Sequence, residues 1–226
     1  FQTGVGFMLI LIMFIIGCTK DFEQMNVNPN EPSKVPTSYL LTSAQKVLMA
    51  FMWDEWWAGR FGNLYSQYWS QASYTDESRF KIRDGVNNNY FIYFYSGRDA
   101  NPPDGEINGG GMKDLQRIIE LNEGEDTKAE ASVSGSNDNQ IAVARILKAW
   151  MFQVLTDTYG YIPYSQALNL VEYTSPAYDS QQDIYAGLII ELTEAAAQIK
   201  TDEMGVLGDI IYGGDMAAWK NSPIHC

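Results

Sequence analysis

Apolar positions recur at three- and four-residue spacing through most of the chain, the period of an amphipathic helix rather than of a strand. After Pro36, residues Leu40, Leu41, Ala44, Val47, Leu48 and Phe51 share one helical face. A helix is therefore predicted to run through Trp57, with Thr37 or Ser38 as its cap. A second helical stretch is predicted over 60–72. Residues 90–95 are aromatic and β-branched enough to suit a strand, but the flanking asparagines and Gly97 favour a short helix. Residues 98–111 read as a Gly/Pro/Asp loop, 112–121 as a helix presenting Leu115, Ile118 and Ile119, and 123–139 as an exposed polar connection.

The strongest helical signal covers 139–158, where Ile141, Ala144, Leu147, Met151 and Leu155 form a stripe widened by Val143, Trp150, Phe152 and Val154. Only Arg145 and Lys148 make a polar strip, so this helix is expected to be largely buried. Gly160 ends it and Pro163 prevents continuation. The next helix is expected to begin at Asp179 as cap, with Gln182 reaching back in a capping box. Its buried face is Ile184, Leu188, Leu192, Ala195 and Ile199. Two amphipathic helices joined by a turn-rich segment predict a helical hairpin. No clean repeat period is visible.

One hydrophobic run differs from the rest. Val5 to Ile16 is almost unbroken and ends at Gly17 and Cys18. At 1.5 Å per residue it covers roughly 18 Å, short of the ~30 Å a spanning helix must cross, and so reads as the apolar part of a signal peptide. Ile15, Ile16, Gly17 and Cys18 resemble a lipobox, in which the cysteine thiol is acylated after cleavage; an uncleaved anchor or a buried N-terminal helix is the alternative. No initiator Met or basic segment precedes the run, so the chain is expected to start inside the signal. Asn26, Asn28, Pro29, Asn30 and Pro32 then predict a tether that sustains no helix. Those asparagines could offer carbonyl oxygens to calcium, but local turns are the more ordinary use.

The 226 residues, less the signal, suffice for one sizeable core, and 46% hydrophobic residues exclude general disorder. A net charge of -13 argues against nucleic-acid binding, which needs clustered Lys and Arg. Two cysteines, Cys18 and the terminal Cys226, leave no internal disulfide framework, and the lone His225 removes most triad and metal chemistry. No metal or cofactor is expected. Gly109, Gly110 and Gly111 lack the Gly-Lys-Ser/Thr sequel of a phosphate loop, so a flexible loop is expected there.

What stands out is 6 Trp and 14 Tyr. Trp53, Trp56, Trp57, Tyr65, Tyr68, Trp69 and Tyr74 crowd one stretch. Aromatic faces stack on sugar rings and also fill cores. Helical spacing puts Trp53 and Trp57 on one face and repeats the pattern at Tyr65, Tyr68 and Trp69; core packing is the default for each. Trp53, Trp56, Trp57, Tyr68, Trp69, Tyr74 and Arg79 are the candidate ligand-binding residues. Arg60 and Arg79 could donate to ligand oxygens, although surface ion pairs are the ordinary alternative. Asp54 and Glu55, among the tryptophans, are where a sugar-cleaving carboxylate pair would be sought, but adjacent helix positions diverge by about 100°.

Several segments carry a resemblance: Cys18 with Thr-Lys-Asp-Phe-Glu, Asn26 with Val-Asn-Pro-Asn, and Leu40 with Leu-Thr-Ser-Ala-Gln. Leu155 opens Leu-Thr-Asp-Thr-Tyr-Gly-Tyr-Ile-Pro-Tyr-Ser-Gln-Ala, Tyr178 opens Tyr-Asp-Ser-Gln-Gln-Asp-Ile-Tyr, and Tyr212 opens Tyr-Gly-Gly-Asp-Met-Ala-Ala-Trp-Lys. In this order the chain resembles the SusD/RagB family of surface lipoproteins, in the branch described as SusD-like, starch-binding and associating with the outer membrane. Tyr161 and Gln166 depart from acidic residues usual in that pattern. The resemblance implies a mostly α fold of tetratricopeptide-like helical hairpins with long irregular loops, incomplete here. It also implies a non-enzymatic glycan-binding lipoprotein, lipidated at Cys18 in the outer membrane. Such a protein acts as lid and delivery partner of a TonB-dependent transporter for oligosaccharide, or peptide in some relatives. The expected organisation is signal peptide 1–17, tether 18–36, helical domain 37–220 and an aberrant tail 221–226, as of a fragment. A helical glycoside hydrolase and a purely protein-binding scaffold are the alternatives.

Overall fold

The computed structural model describes residues 35–53, 55–81, 83–97, 109–169 and 171–222, with only the backbone described at 55–57, 61 and 86. The lipobox with Cys18, the Asn/Pro tether, Asp54, most of the 98–111 loop, His225 and Cys226 lie outside the described residues. In chain order come α1 (Thr37–Trp53), a π-helical segment (Glu55–Leu64), a 3-10 turn (Glu77–Arg79), α2 (Asp84–Ser96) and α3 (Met112–Glu123). Then follow α4 (Lys128–Ala131), a second 3-10 turn (Ser132–Ser134), α5 (Asn137–Tyr159), β1 (Ile162–Pro163), β2 (Tyr178–Asp179), α6 (Gln181–Gln198) and α7 (Met216–Asn221).

The fold is mostly α and is built around α5. Ala142, Val143, Ala144, Leu147, Ala149, Met151 and Leu155 are all buried, so this helix is apolar nearly all round and needs cover on more than one side. It packs against α3 and α6, while α1 lies on α3, and α2 touches both α3 and α5. The α5/α6 pair is the expected hairpin. Asn139 near the start of α5 bonds the backbone of Lys200 just beyond α6, whereas Gln181 at the start of α6 donates to the Thr156 carbonyl near the end of α5. The two helices therefore run antiparallel. Between them Arg145 forms a bidentate pair with Glu191, both bonds 2.9 Å, and a further bond to Glu194. The turn joining them is fixed by the two-residue ladder Ile162 to Asp179 and Pro163 to Tyr178.

Polar side chains pin the ends of this core. Buried Gln140 accepts from the Thr37 hydroxyl and donates to the carbonyls of Ala131 and Gly135. Asp209 receives Gln45, the backbone N–H groups of Ile211 and Gly214, and the indole N–H of Trp219 at 2.7 Å. Burial opposes its charge, yet hydrogen bonds from Gly214, Trp219, Ile211 and Gln45 hold its carboxyl below the ordinary range.

Several local expectations change. Thr37 does not cap α1: it is the first helical residue, its hydroxyl is spent on Gln140, and the Pro36 carbonyl takes the first amides. The α-helix ends at Trp53 rather than Trp57. Asp179 does not cap α6. Ser180 does, accepting from the Asp183 amide, while the Asp179 carboxylate accepts from Tyr164 N, Ser165 N and the Ser165 hydroxyl. The 123–139 connection carries α4 and buries Ala131, Ser134 and Asn139 instead of lying open. Gly110 and Gly111 are tightly packed: a Cβ on Gly110 would sit 2.4 Å from a Val47 methyl, and Gly110 has φ +90°. The Gly110 amide donates to the Asp114 carboxylate at 2.6 Å, which occupies the place an anion would need.

Candidate ligand-binding surface

The aromatic residues divide into two populations. One is interior. Phe51 of α1 packs its ring against Tyr90, Tyr93 and Phe94 of α2 at centroid separations of 5.5–6.0 Å, and Phe152 meets Tyr95 and Tyr164 edge to face. These rings explain much of the Trp/Tyr/Phe excess as ordinary core. The other population is outward. Trp53 is 76% exposed, Tyr68 83%, Trp69 56%, Tyr74 79% and Phe80 59%. Burying a large aromatic is a major source of stability, so leaving five of them in solvent along 53–80 gives up stability that the fold could have gained.

The support beneath them begins with the π-helical segment Glu55–Leu64, which packs on α1 and on the 3-10 turn. Gly59 and Gly62 weaken α-helix formation here, and π geometry concentrates at functional sites. With hydrogen bonds spanning five residues, the four-residue face expected for Trp53 and Trp57 does not carry through. The expected helix over 60–72 stops at Leu64. Gln67 lies in left-handed backbone at φ 62°, so Tyr65, Tyr68 and Trp69 occupy a turn instead of one helix face. The Trp69 amide is tied back to the Asn63 carbonyl at 3.1 Å. Beyond it, Gln71 and Ser78 exchange backbone-to-side-chain hydrogen bonds of 3.0 and 3.1 Å and close a loop that carries Tyr74.

Glu77 is the anchor of this region. It is 2% exposed, and its carboxylate accepts from Arg83 Nε and Nη2 at 3.0 and 2.8 Å, from Gln71 Nε2 at 2.9 Å and from Arg60 at 3.5 Å. Burial alone would raise its pKa, but the bonds from Gln71 and Arg83 leave it below the usual carboxylate range. Gln67, Tyr74 and Phe80 have φ between 54° and 62°, each worth on the order of 1–3 kcal/mol of strain. Such strain clusters where a surface must hold an otherwise unfavourable shape.

Of the sequence-predicted residues, Trp53, Tyr68, Trp69 and Tyr74 are therefore outward, and Arg79 follows in the 3-10 turn. Arg79 makes the ordinary surface pair, 3.6 Å to Asp76, and can exchange it for a ligand oxygen. Trp56 and Trp57 lie in the π-helical backbone with undescribed side chains, as does Glu55. Sequence reasoning missed Phe80, which stacks with Tyr65 at 5.8 Å, and Glu77. The concentration of Arg60, Arg79 and Arg83 around one glutamate was the available signal. Among the described residues no His, Cys, Asp and Glu cluster can hold a metal ion, and no helix is long and apolar enough to cross a membrane.

Comparisons with solved structures give the same architecture. A chitin-binding protein matches with a TM-score of 0.62 at 27% identity, covering 83% of this chain and 36% of its own length. A SusD homologue from Bacteroides fragilis matches at 0.50 and 22% identity, covering 84% and 34%. A Bacteroides vulgatus protein assigned to the outer membrane and to nutrient binding matches at 0.53 and 24% identity, with the same coverage. The chain thus spans about a third of the length of these relatives. No curated protein matches it. Residues 29–222 match the family model for SusD-like proteins. The chain belongs to that family, described as starch-binding and associating with the outer membrane.

Proposed function

We propose that this is a non-enzymatic glycan-capture protein of the outer membrane whose binding surface is the aromatic segment 53–80. The observation that carries the reading is the exposure of Trp53, Tyr68, Trp69 and Tyr74 on a support held in strained backbone around buried Glu77. Flat aromatic faces cover the C–H faces of sugar rings, and Arg79 lies close enough in sequence to donate charge-assisted hydrogen bonds to ring hydroxyls. Family membership and the likeness to a chitin-binding protein support a polysaccharide-derived ligand.

Binding would be equilibrium capture, with no bond broken. Lipid on Cys18 would hold the protein at the cell surface, and a TonB-dependent transporter would receive the ligand from beneath this lid. A lipid modification with more than one chain gives stable anchoring where one chain is marginal.

Isothermal titration with maltoheptaose and chitohexaose tests the capture step. One of the two should bind, and Trp69→Ala or Tyr74→Ala should each weaken it about tenfold, ~1.4 kcal/mol. Affinity unchanged in both variants would remove the aromatic surface from the account. Reducing ends that accumulate with turnover would replace capture by hydrolysis.

A further inference from the structure

Away from the aromatic segment, a cavity of about 260 Å³ opens between α5, α6, Gln116 of α3 and the turn after β1. Its floor is Phe152 and Leu188, both buried. Its walls bring together Lys148, Gln116, Glu191 and Tyr164. Lys148, part of the polar strip expected on α5, is half-buried at the cavity wall. Its ammonium donates to Gln116 Oε1 at 2.9 Å, its one hydrogen bond among the described residues. An ammonium has three donors, so Lys148, which lines the cavity, has two N–H bonds without an acceptor among the described residues. Burial depresses the Lys148 pKa, with Glu191 opposing.

The charges around the cavity decide what can enter. Glu191 is already paired with Arg145, so it offers leftover acceptor lone pairs, while the fields of Glu191, Glu123 and Glu120 offset the Lys148 ammonium and leave no open positive charge for an anion. Lys148 offers donors, and the Tyr164 hydroxyl can do either. A ligand that both donates and accepts at several points, has an apolar face for Phe152, and carries no net charge satisfies all of them. Hydroxyl groups on a ring have this character. The volume lies just under the ~300 Å³ where drug-sized pockets begin, which limits the occupant to one ring. Leu168, at the cavity edge, holds φ 66°, a strained backbone of the kind found at ligand clamps.

We propose that this cavity is a second binding site, taking one neutral hydroxylated ring of monosaccharide size. It shares no residue with the aromatic surface and does not depend on that surface binding glycan.

The test is an NMR titration, read at methyl and indole signals, of the protein with D-glucose and with N-acetyl-D-glucosamine, using acetate as the anionic control. Saturable shifts at the methyls of Ala149, Ala167 and Leu188 are expected with a sugar, and Lys148→Met should weaken that binding at least tenfold. Gln116→Leu serves as a second variant if Lys148→Met does not melt cooperatively. Absence of shifts at these methyls up to tens of millimolar sugar would overturn the proposal. So would shifts confined to the Trp53 and Trp69 indoles, affinity unchanged in the lysine variant, or acetate binding in preference to both sugars.

Discussion

Glu77 shows how a single side chain shapes the candidate site. A carboxylate this buried persists only when its lone pairs are filled, and Arg83, Gln71 and Arg60 converge on it from both sides of the loop that carries Tyr74. Removing it leaves Arg83 without its partner, so Glu77→Ala should cost about 3 kcal/mol, read by urea unfolding. A loss within experimental error of zero would mean that the loop is held elsewhere. The aromatic candidates were legible in the sequence as a cluster but not as a surface. Helical spacing assigned them to faces; glycines and left-handed backbone at Gln67, Tyr74 and Phe80 took the segment out of α geometry. Nothing in a one-dimensional pattern distinguishes Tyr90, which is buried, from Tyr68, which is not, because both sit among other aromatics.

At the scale of elements, periodicity did well where the helix is long and buried. The α5/α6 hairpin and α3 were readable from apolar stripes because those stripes meet each other in the core. The ends were harder, since two adjacent polar residues can exchange roles without changing any pattern. Asp179 and Ser180 did so: the serine caps α6 and the aspartate ties down the turn. Ser180→Ala should therefore cost ~1 kcal/mol as a lost cap. Asp179→Ala should cost more, because the Tyr164 and Ser165 amides lose their acceptor. Thermal denaturation of the two variants gives the order: no loss at Ser180 would restore Asp179 as the cap, and a larger loss at Ser180 than at Asp179 would show that the turn does not rest on the aspartate. The glycine run behaves likewise. It read as an open loop, yet Gly110 is wedged against Val47 of α1. Gly110→Ala combines that clash with φ +90°, and it should destabilise by more than the ~1 kcal/mol of ordinary backbone substitutions. A variant as stable as the parent would show that α1 can shift to make room.

For the molecule as a whole, four buried or half-buried carboxylates set the response to acid. Glu77, Asp179, Glu191 and Asp209 are each held below the ordinary range by hydrogen bonds or an arginine that outweigh their burial. The unfolded chain binds their protons near pH ~4, whereas the folded chain takes them up only lower. Stability from these groups is thus complete above ~5.5 and is lost as the pH falls through the folded values. Urea unfolding midpoints should be flat from neutrality to mild acid and then drop, and Glu77→Gln should lessen the drop; a midpoint rising on acidification contradicts the sign.

Family membership was legible because short polar and aromatic motifs keep their order along the chain, even though their structural roles were only partly readable. The reading of this molecule as a glycan-capture protein turns on where a glycan touches it. Hydrogen exchange with and without a saturating oligosaccharide that binds in titration measures that directly. Protection is expected across 60–83, where the Trp69, Ser78 and Phe80 amides are held by the loop, with α5 unchanged. Protection elsewhere, with 60–83 exchanging as in the free protein, would place the glycan off the aromatic segment and overturn that reading.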